Sequence, residues 1–257
     1  MYSHSKLWLY ENCPEAYKVK YIDRAWPDLP ESINLFLGSI VHEALEWLYH
    51  RVLEGNVPEM DELVKYYAEN WQRNFKADFR IPAGEKEGDF FNKGVKFLVD
   101  YYQTNKPFDE RTIEIEKKVL FPLDEEYAIQ GYVDRIVLNK DGEYEIHDYK
   151  TNDRMKSQSD VDLDRQLALY HLGLKHLYGG DIKVKLVWHM LAHNKKVQSI
   201  RTDEQLEKLK QDVLALISKI ESTTVWPACG KPWCDWCAYK RQMKFENGGN
   251  HSLGNWF

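Results

Sequence analysis

One stretch constrains this chain more than any other: AIQGYVDRIVL, then NKDG, then EYEIHDYKT, over residues 128–151. Two β-rich runs around a short polar turn with a glycine read as a β-hairpin. Side chains alternate faces along a strand, so Ile146, Asp148 and Lys150 share one face and Glu145, His147 and Tyr149 the other. A three-residue loop, Lys140–Asp141–Gly142, with Gly142 in the left-handed position, pairs Asn139 with Glu143 and sets Asp134 opposite Asp148 on one face. A two-residue turn, Asp141–Gly142, puts Asp134 on the other face instead. Facing carboxylates repel, so the first register makes physical sense with a divalent cation between them and Lys150 one step along. Independently of register, Asp148 and Lys150 at i, i+2 also suit a surface ion pair on a solvated face.

Helices and further strands surround the hairpin. Residues 5–22 read as a helix interrupted near Cys13–Pro14, followed by a polar loop over 23–31. The run INLFLGSIVHEALEWLYHRVLEG carries Leu37, Val41, Leu45, Leu48 and Val52 at helical spacing and stops at Gly55. Amphipathic helices near 60–78 and 87–104 make a helical insertion over 55–110. Strands are expected at 112–121, 126–138 and 143–151, then a helix at 160–178 carrying Leu163, Leu167, Tyr170 and Leu174. A strand pair turning at His193–Asn194 follows, with a helix over 203–221, a cysteine-bearing segment over 226–245 and a mobile tail over 246–257. This order predicts an α/β fold in a single domain, 1–257. Its sheet is mixed, of about five strands flanked by helices, with an N-terminal helical block and a C-terminal cysteine-bearing cap.

The net charge of −6 does not advertise a nucleic-acid binder; such a function needs a local basic patch and a cation to neutralise the carboxylates. Nine Trp and sixteen Tyr offer stacking surfaces, most of which the core is expected to consume. No run of about 18 apolar residues marks a membrane span and no charged-then-apolar leader marks secretion, so the expected setting is intracellular, in the cytoplasm. In that reducing compartment the four cysteines suit metal ligation better than disulfides. No G-x-x-x-x-G-K-[ST] loop is present, so the sequence contains no recognisable ATP motor, and the chain is expected either to act alone or to be recruited by a partner protein that supplies one.

Other residues extend the hairpin's chemistry. His42 stands four residues after Gly38 in the strongest helix; a mid-helix glycine costs roughly 1 kcal/mol relative to Ala, which makes sense where something approaches one turn before His42. Gln166 and Tyr170, at i and i+4, share a helix face. Glu114 and Glu116, on the strand before the hairpin, suit a water or second cation, and equally a solvated strand.

The ordered set Gly38-x-x-x-His42, Gly131-x-x-Asp134-Arg135, Asp148-Tyr149-Lys150-Thr151 and Gln166-x-x-x-Tyr170 resembles the RecB-like branch of the PD-(D/E)XK nuclease superfamily. That branch includes CRISPR-associated RecB-like exonucleases and the nuclease domains of recombination helicase–nucleases. The resemblance implies the restriction-endonuclease-like core and a metal-dependent DNA nuclease, an exonuclease or single-strand-preferring enzyme, in repair, recombination or defence. A catalytically idle nucleic-acid-binding subunit is the alternative. By position, His42, Asp134, Asp148 and the main-chain carbonyl of Tyr149 would bind Mg²⁺ or Mn²⁺, hard ions suited to oxygen ligands, with one imidazole leaning toward Mn²⁺. Lys150 would orient the attacking water and stabilise charge developing on the phosphate. Gln166 and Tyr170 would hold the nucleic-acid strand or the geometry behind the metal ligands, and Arg135 would bind the strand.

Cys13, followed by Pro14, and the set Cys229-x4-Cys234-x2-Cys237 form the chain's four thiols. Four thiolates hold an iron–sulfur cluster or a structural Zn²⁺. Iron–sulfur-bearing RecB-like proteins show one N-terminal cysteine and three near the C-terminus, so the resemblance implies a [4Fe-4S] cluster, with Zn²⁺ as the alternative. The chain departs from that pattern: Lys240, Arg241, Gln242 and Met243 stand where many relatives place their last ligand, and Cys229 would have to substitute.

Overall fold

The computed structural model describes residues 1–247; from residue 248 on, the expected tail lies outside them. In chain order the helices and strands are α1 (His4–Asn12), α2 (Pro14–Tyr17), α3 (Ile33–Leu53), α4 (Met60–Asn74), α5 (Glu87–Asn105), β1 (Thr112–Pro122), β2 (Ala128–Leu138) and β3 (Tyr144–Lys150). After them come α6 (Gln158–Asp162), α7 (Arg165–Tyr178), β4 (Val184–Met190), β5 (Lys195–Ile200), α8 (Asp203–Glu221) and α9 (Asp235–Asn247). The expected break at Cys13–Pro14 is there: Cys13 is extended and Pro14 opens α2, where its missing N–H costs nothing. Among the described residues no helix is long and apolar enough to cross a membrane.

Two compact units are distinguished. One comprises Met1–Leu29, Pro122–Ile129 and the chain from Lys210 on; the other comprises Pro30–Phe121 and Gln130–Leu209.

The larger unit holds a mixed five-stranded sheet in the order β1-β2-β3-β4-β5. The hairpin takes the three-residue register. Gly142 sits at φ 78° and the Asn139 N–H donates to the Glu143 carbonyl at 2.9 Å. Pairs run from Leu138↔Tyr144 to Arg135↔His147, so Asp134 and Asp148 are next in line on one face. β3 runs parallel to β4, a pairing that needs a crossover, and α6 and α7 supply it. On one face, Ile136, Ile146 and Trp188 pack with Leu167 and Leu174 of α7; Tyr149 turns to the opposite core, built from α3, α4 and α5.

The helix expected over 160–178 is in fact two. Asp164 caps α7, accepting from the Leu167 N–H at 3.3 Å, so the chain breaks at 163–164. Leu163 therefore faces solvent, 85% exposed, instead of joining the core. Short polar side chains that satisfy a helix's free N–H groups start a new helix even where the apolar spacing runs on.

In the smaller unit, Cys13, Ala16, Cys234 and Cys237 form a buried cluster edged by Leu9, Trp26, Cys229 and Trp236. Tyr2 ties its N–H to the Ala128 carbonyl at 2.8 Å, and Tyr10 meets Thr223 at 2.6 Å.

Candidate active site

α3 delivers His42 and β2 delivers Asp134. The His42 Nε2 lies 2.8 Å from the Tyr149 carbonyl oxygen and its Nδ1 3.5 Å from Asp134 Oδ2. A carbonyl only accepts, so Nε2 carries a hydrogen here. That leaves the Nδ1 turned toward the Asp134 carboxylate. Asp134 also accepts from the Tyr149 N–H at 2.9 Å. The expected close approach to Gly38 is real: a Cβ there would meet the Thr151 hydroxyl at 3.2 Å, which docks the end of β3 one turn before His42.

Glu116 joins these two. Ligand atoms of His42, Glu116 and Asp134 all lie within 4.8 Å of one another. Glu116 has φ 47°, a left-handed backbone in mid-strand that strains any non-glycine residue and is held where it re-aims a side chain. Of the two acids named on this strand, Glu114 instead pairs with Lys117 at 2.7 Å. The crowding shows in protonation. Burial, then Asp134 and Glu46, push Glu116 up to about 7 against His42's opposing pull. Burial raises Asp134 to about 6, with Asp148 adding to it and His42 opposing. Acids held this reluctantly are short of positive charge, which is the condition a divalent cation relieves.

Asp148 is engaged differently. Its carboxylate stands 2.8 Å from the Lys150 ammonium, which also donates to Gln166 Oε1 at 3.0 Å. Gln166 Nε2 reaches the Tyr170 hydroxyl at 3.4 Å. Burial pulls the Lys150 pKa down, but Asp148, Asp134 and Asp164 outweigh it and raise the value overall, so the side chain is a fixed cation at neutral pH. Tyr170 packs against bare backbone: a Cβ on Gly131 would stand 2.3 Å from its ring. The two glycine-bearing motifs thus act by letting Thr151 and Tyr170 come close.

Arg135 turns away from this group. It is fully buried, with Nε on the Tyr149 hydroxyl at 3.0 Å, Nη1 on Thr112 at 3.2 Å and Nη2 on Glu110 at 2.8 Å. Its guanidinium lies 4.0 Å over the Tyr49 ring. Burial, then Arg135, hold His147 well below the usual histidine range, so it is neutral. The expectation of a strand-binding arginine is corrected: every other residue of β2 turns away from Asp134, and Arg135 is one of them.

The four cysteines are brought together too. Cys13, Cys229, Cys234 and Cys237 place their sulfurs within 4.8 Å of one another, so Cys229 lies beside the other three and the group could hold a metal ion.

Residues 1–242 match the model of the PD-(D/E)XK nuclease superfamily. Among solved structures, a protein from Eubacterium rectale described as a putative exonuclease is similar at TM-score 0.54 and 14% identity, covering 99% of this chain and 90% of its own. A second, SSO0001, is 14% identical at TM-score 0.34, covering 89% of this chain and 92% of its own. No curated protein matches the chain in sequence.

Proposed function

We propose that this chain, which belongs to the PD-(D/E)XK nuclease superfamily, is a Mg²⁺- or Mn²⁺-dependent deoxyribonuclease, exonucleolytic or single-strand-preferring. The observation that carries the reading is the meeting of His42, Glu116 and Asp134 beside the Asp148–Lys150–Gln166 chain. His42, Asp134, Asp148 and the Tyr149 carbonyl, joined by Glu116, would hold the cation. The donor set fits: hard oxygens with one imidazole, and acids whose raised pKa values register missing positive charge. Once bound, the cation supplies polarisation of a phosphoryl oxygen and a more acidic water.

The chain's own residues do the rest. Lys150, charged and held between Asp148 and Gln166, is a poor base and a good electrostatic partner for charge developing on phosphate. Gln166 and Tyr170 fix where that ammonium points. Tyr149 carries its carbonyl to the site because its ring is locked in the opposite core by Arg135 and Tyr101. DNA repair, recombination or defence, with a partner supplying any motor, is the setting this reading suits. A binding-only subunit has no use for a strained Glu116 and a buried ammonium aimed at one place.

The test is cleavage of end-labelled single- and double-stranded DNA with Mg²⁺ or Mn²⁺, for wild type and Lys150→Ala. Metal-dependent release that falls about 10³-fold in the variant is expected. An inactive wild type, or a variant that cuts equally well, defeats the proposal.

A further inference from the structure

The geometry points to a single tetrahedral ion, Zn²⁺, held by Cys13, Cys229, Cys234 and Cys237, in place of the iron–sulfur cluster that the resemblance implies. The spacing of the sulfurs decides it. Cys13 Sγ lies 3.9 Å from Cys237 Sγ, Cys229 Sγ lies 3.7 Å from Cys237 Sγ, and all four fall within 4.8 Å of one another. A zinc–sulfur bond of about 2.3 Å gives a tetrahedron with edges of about 3.8 Å. A four-iron cube binds each thiolate through a different iron, so its outer sulfurs stand roughly 6 Å apart. A disulfide needs about 2 Å, far below either distance.

The surroundings agree with the smaller guest. Cys13, Cys234 and Cys237 are buried against Ala16, which is itself fully buried, with Leu9, Trp26 and Trp236 around them. Opening the sulfurs by about 2 Å to admit a cube would drive them into these side chains. Backbone N–H groups are aimed at the sulfurs: those of Ala16 and Cys229 at Cys13, of Lys231 at Cys229, and of Cys237 at Cys234. Such bonds stabilise thiolates and orient them, the outer support that closed metal sites use. With all four positions filled by cysteine no vertex is open, so the ion serves as a staple between the two ends of the chain.

The inference does not depend on the nuclease reading, and its readout is metal content rather than cleavage. The full chain is produced with both iron and zinc supplied, purified without oxygen so that a cluster would survive, and analysed for zinc, iron and acid-labile sulfide. One zinc per chain in a colourless protein is expected, as is an intense tetrahedral thiolate spectrum after exchange for Co²⁺. Cys13→Ser and Cys229→Ser should each lower zinc retention against a fixed chelator at least about tenfold, whereas Cys229→His keeps most of it, because zinc accepts three thiolates and an imidazole. Should the serine variants fail to fold, the metal-to-sulfide ratio of the wild type still decides. Stoichiometric iron, with or without sulfide, or four reactive thiols in a metal-free protein, overturns the assignment. Repeating the analysis on Lys150→Ala separates a failure here from a failure of the proposed activity.

Discussion

The oxygen-and-nitrogen group around Asp134 and the sulfur group around Cys13 each bring their ligand atoms within 4.8 Å, yet they are built on opposite terms. The sulfur group is compact, with three of its four cysteines buried among apolar side chains and amides turned toward its sulfurs. The group around Asp134 is uneven and electrically unresolved: a strained Glu116, two acids with raised pKa values, and a neighbouring ammonium already committed to Asp148. A closed set of matched ligands suits an ion that never leaves, and an open, charge-hungry set suits one that must also meet a substrate. The difference teaches where stability and where chemistry should respond to substitution.

The largest effect should break the pairing of the two groups outright. Asp134→Ala is expected to abolish DNA cleavage by about 10³-fold while leaving the metal bound by the cysteines unchanged, checked by kinetics and metal analysis on one preparation. The reverse variant, Cys237→Ala, should lower Tm by roughly 10 °C and leave cleavage by the folded fraction within a few-fold. Equal loss of activity in both would mean that the two groups do not differ in this way.

Smaller changes sharpen it. Gly131→Ala forces a Cβ into the Tyr170 ring, where 2.3 Å is available, and should shift the Gln166–Lys150 pairing behind it. A stability loss of about 1–3 kcal/mol with a roughly tenfold drop in kcat is expected; denaturant titration and steady-state kinetics read both. The least effect is in pH. Folding raises Glu116 to about 7 and Asp134 to about 6, above ordinary carboxylate values, so the folded state holds these protons more tightly than the unfolded one. The stability they contribute is therefore complete below about pH 4 and lost as pH rises through 6 to 7. Without divalent cations, Tm should decline between pH 5 and 8. Saturating Mn²⁺ should remove the decline, and Glu116→Gln should flatten it without metal.

Much of this was legible in the chain. The hairpin register follows from one glycine placed for a left-handed turn, and the approach to Gly38 from a helix that tolerates a poor helix former. The same alternation that puts Asp134 and Asp148 on one face assigns Arg135 to the other, although the motif places the two side by side in sequence. Sequence alone does not separate Glu116 from Glu114, because a positive φ at a glutamate leaves no mark in sequence. Asp164 hid inside an apolar spacing that ran through it. Cysteine spacing marks the four thiols as one candidate group but leaves the ion open, since the distance between sulfurs is set by how segments far apart in sequence meet, not by the residues between them.

His42, Glu116 and Asp134 are proposed to converge on one divalent cation. A crystal of the protein soaked in Mn²⁺, with anomalous data collected at the manganese edge, tests it directly. A single strong peak contacting His42, Asp134 and at least one of Glu116 and Asp148 is predicted. Well-ordered electron density for these side chains with no peak among them at saturating Mn²⁺ would contradict the account.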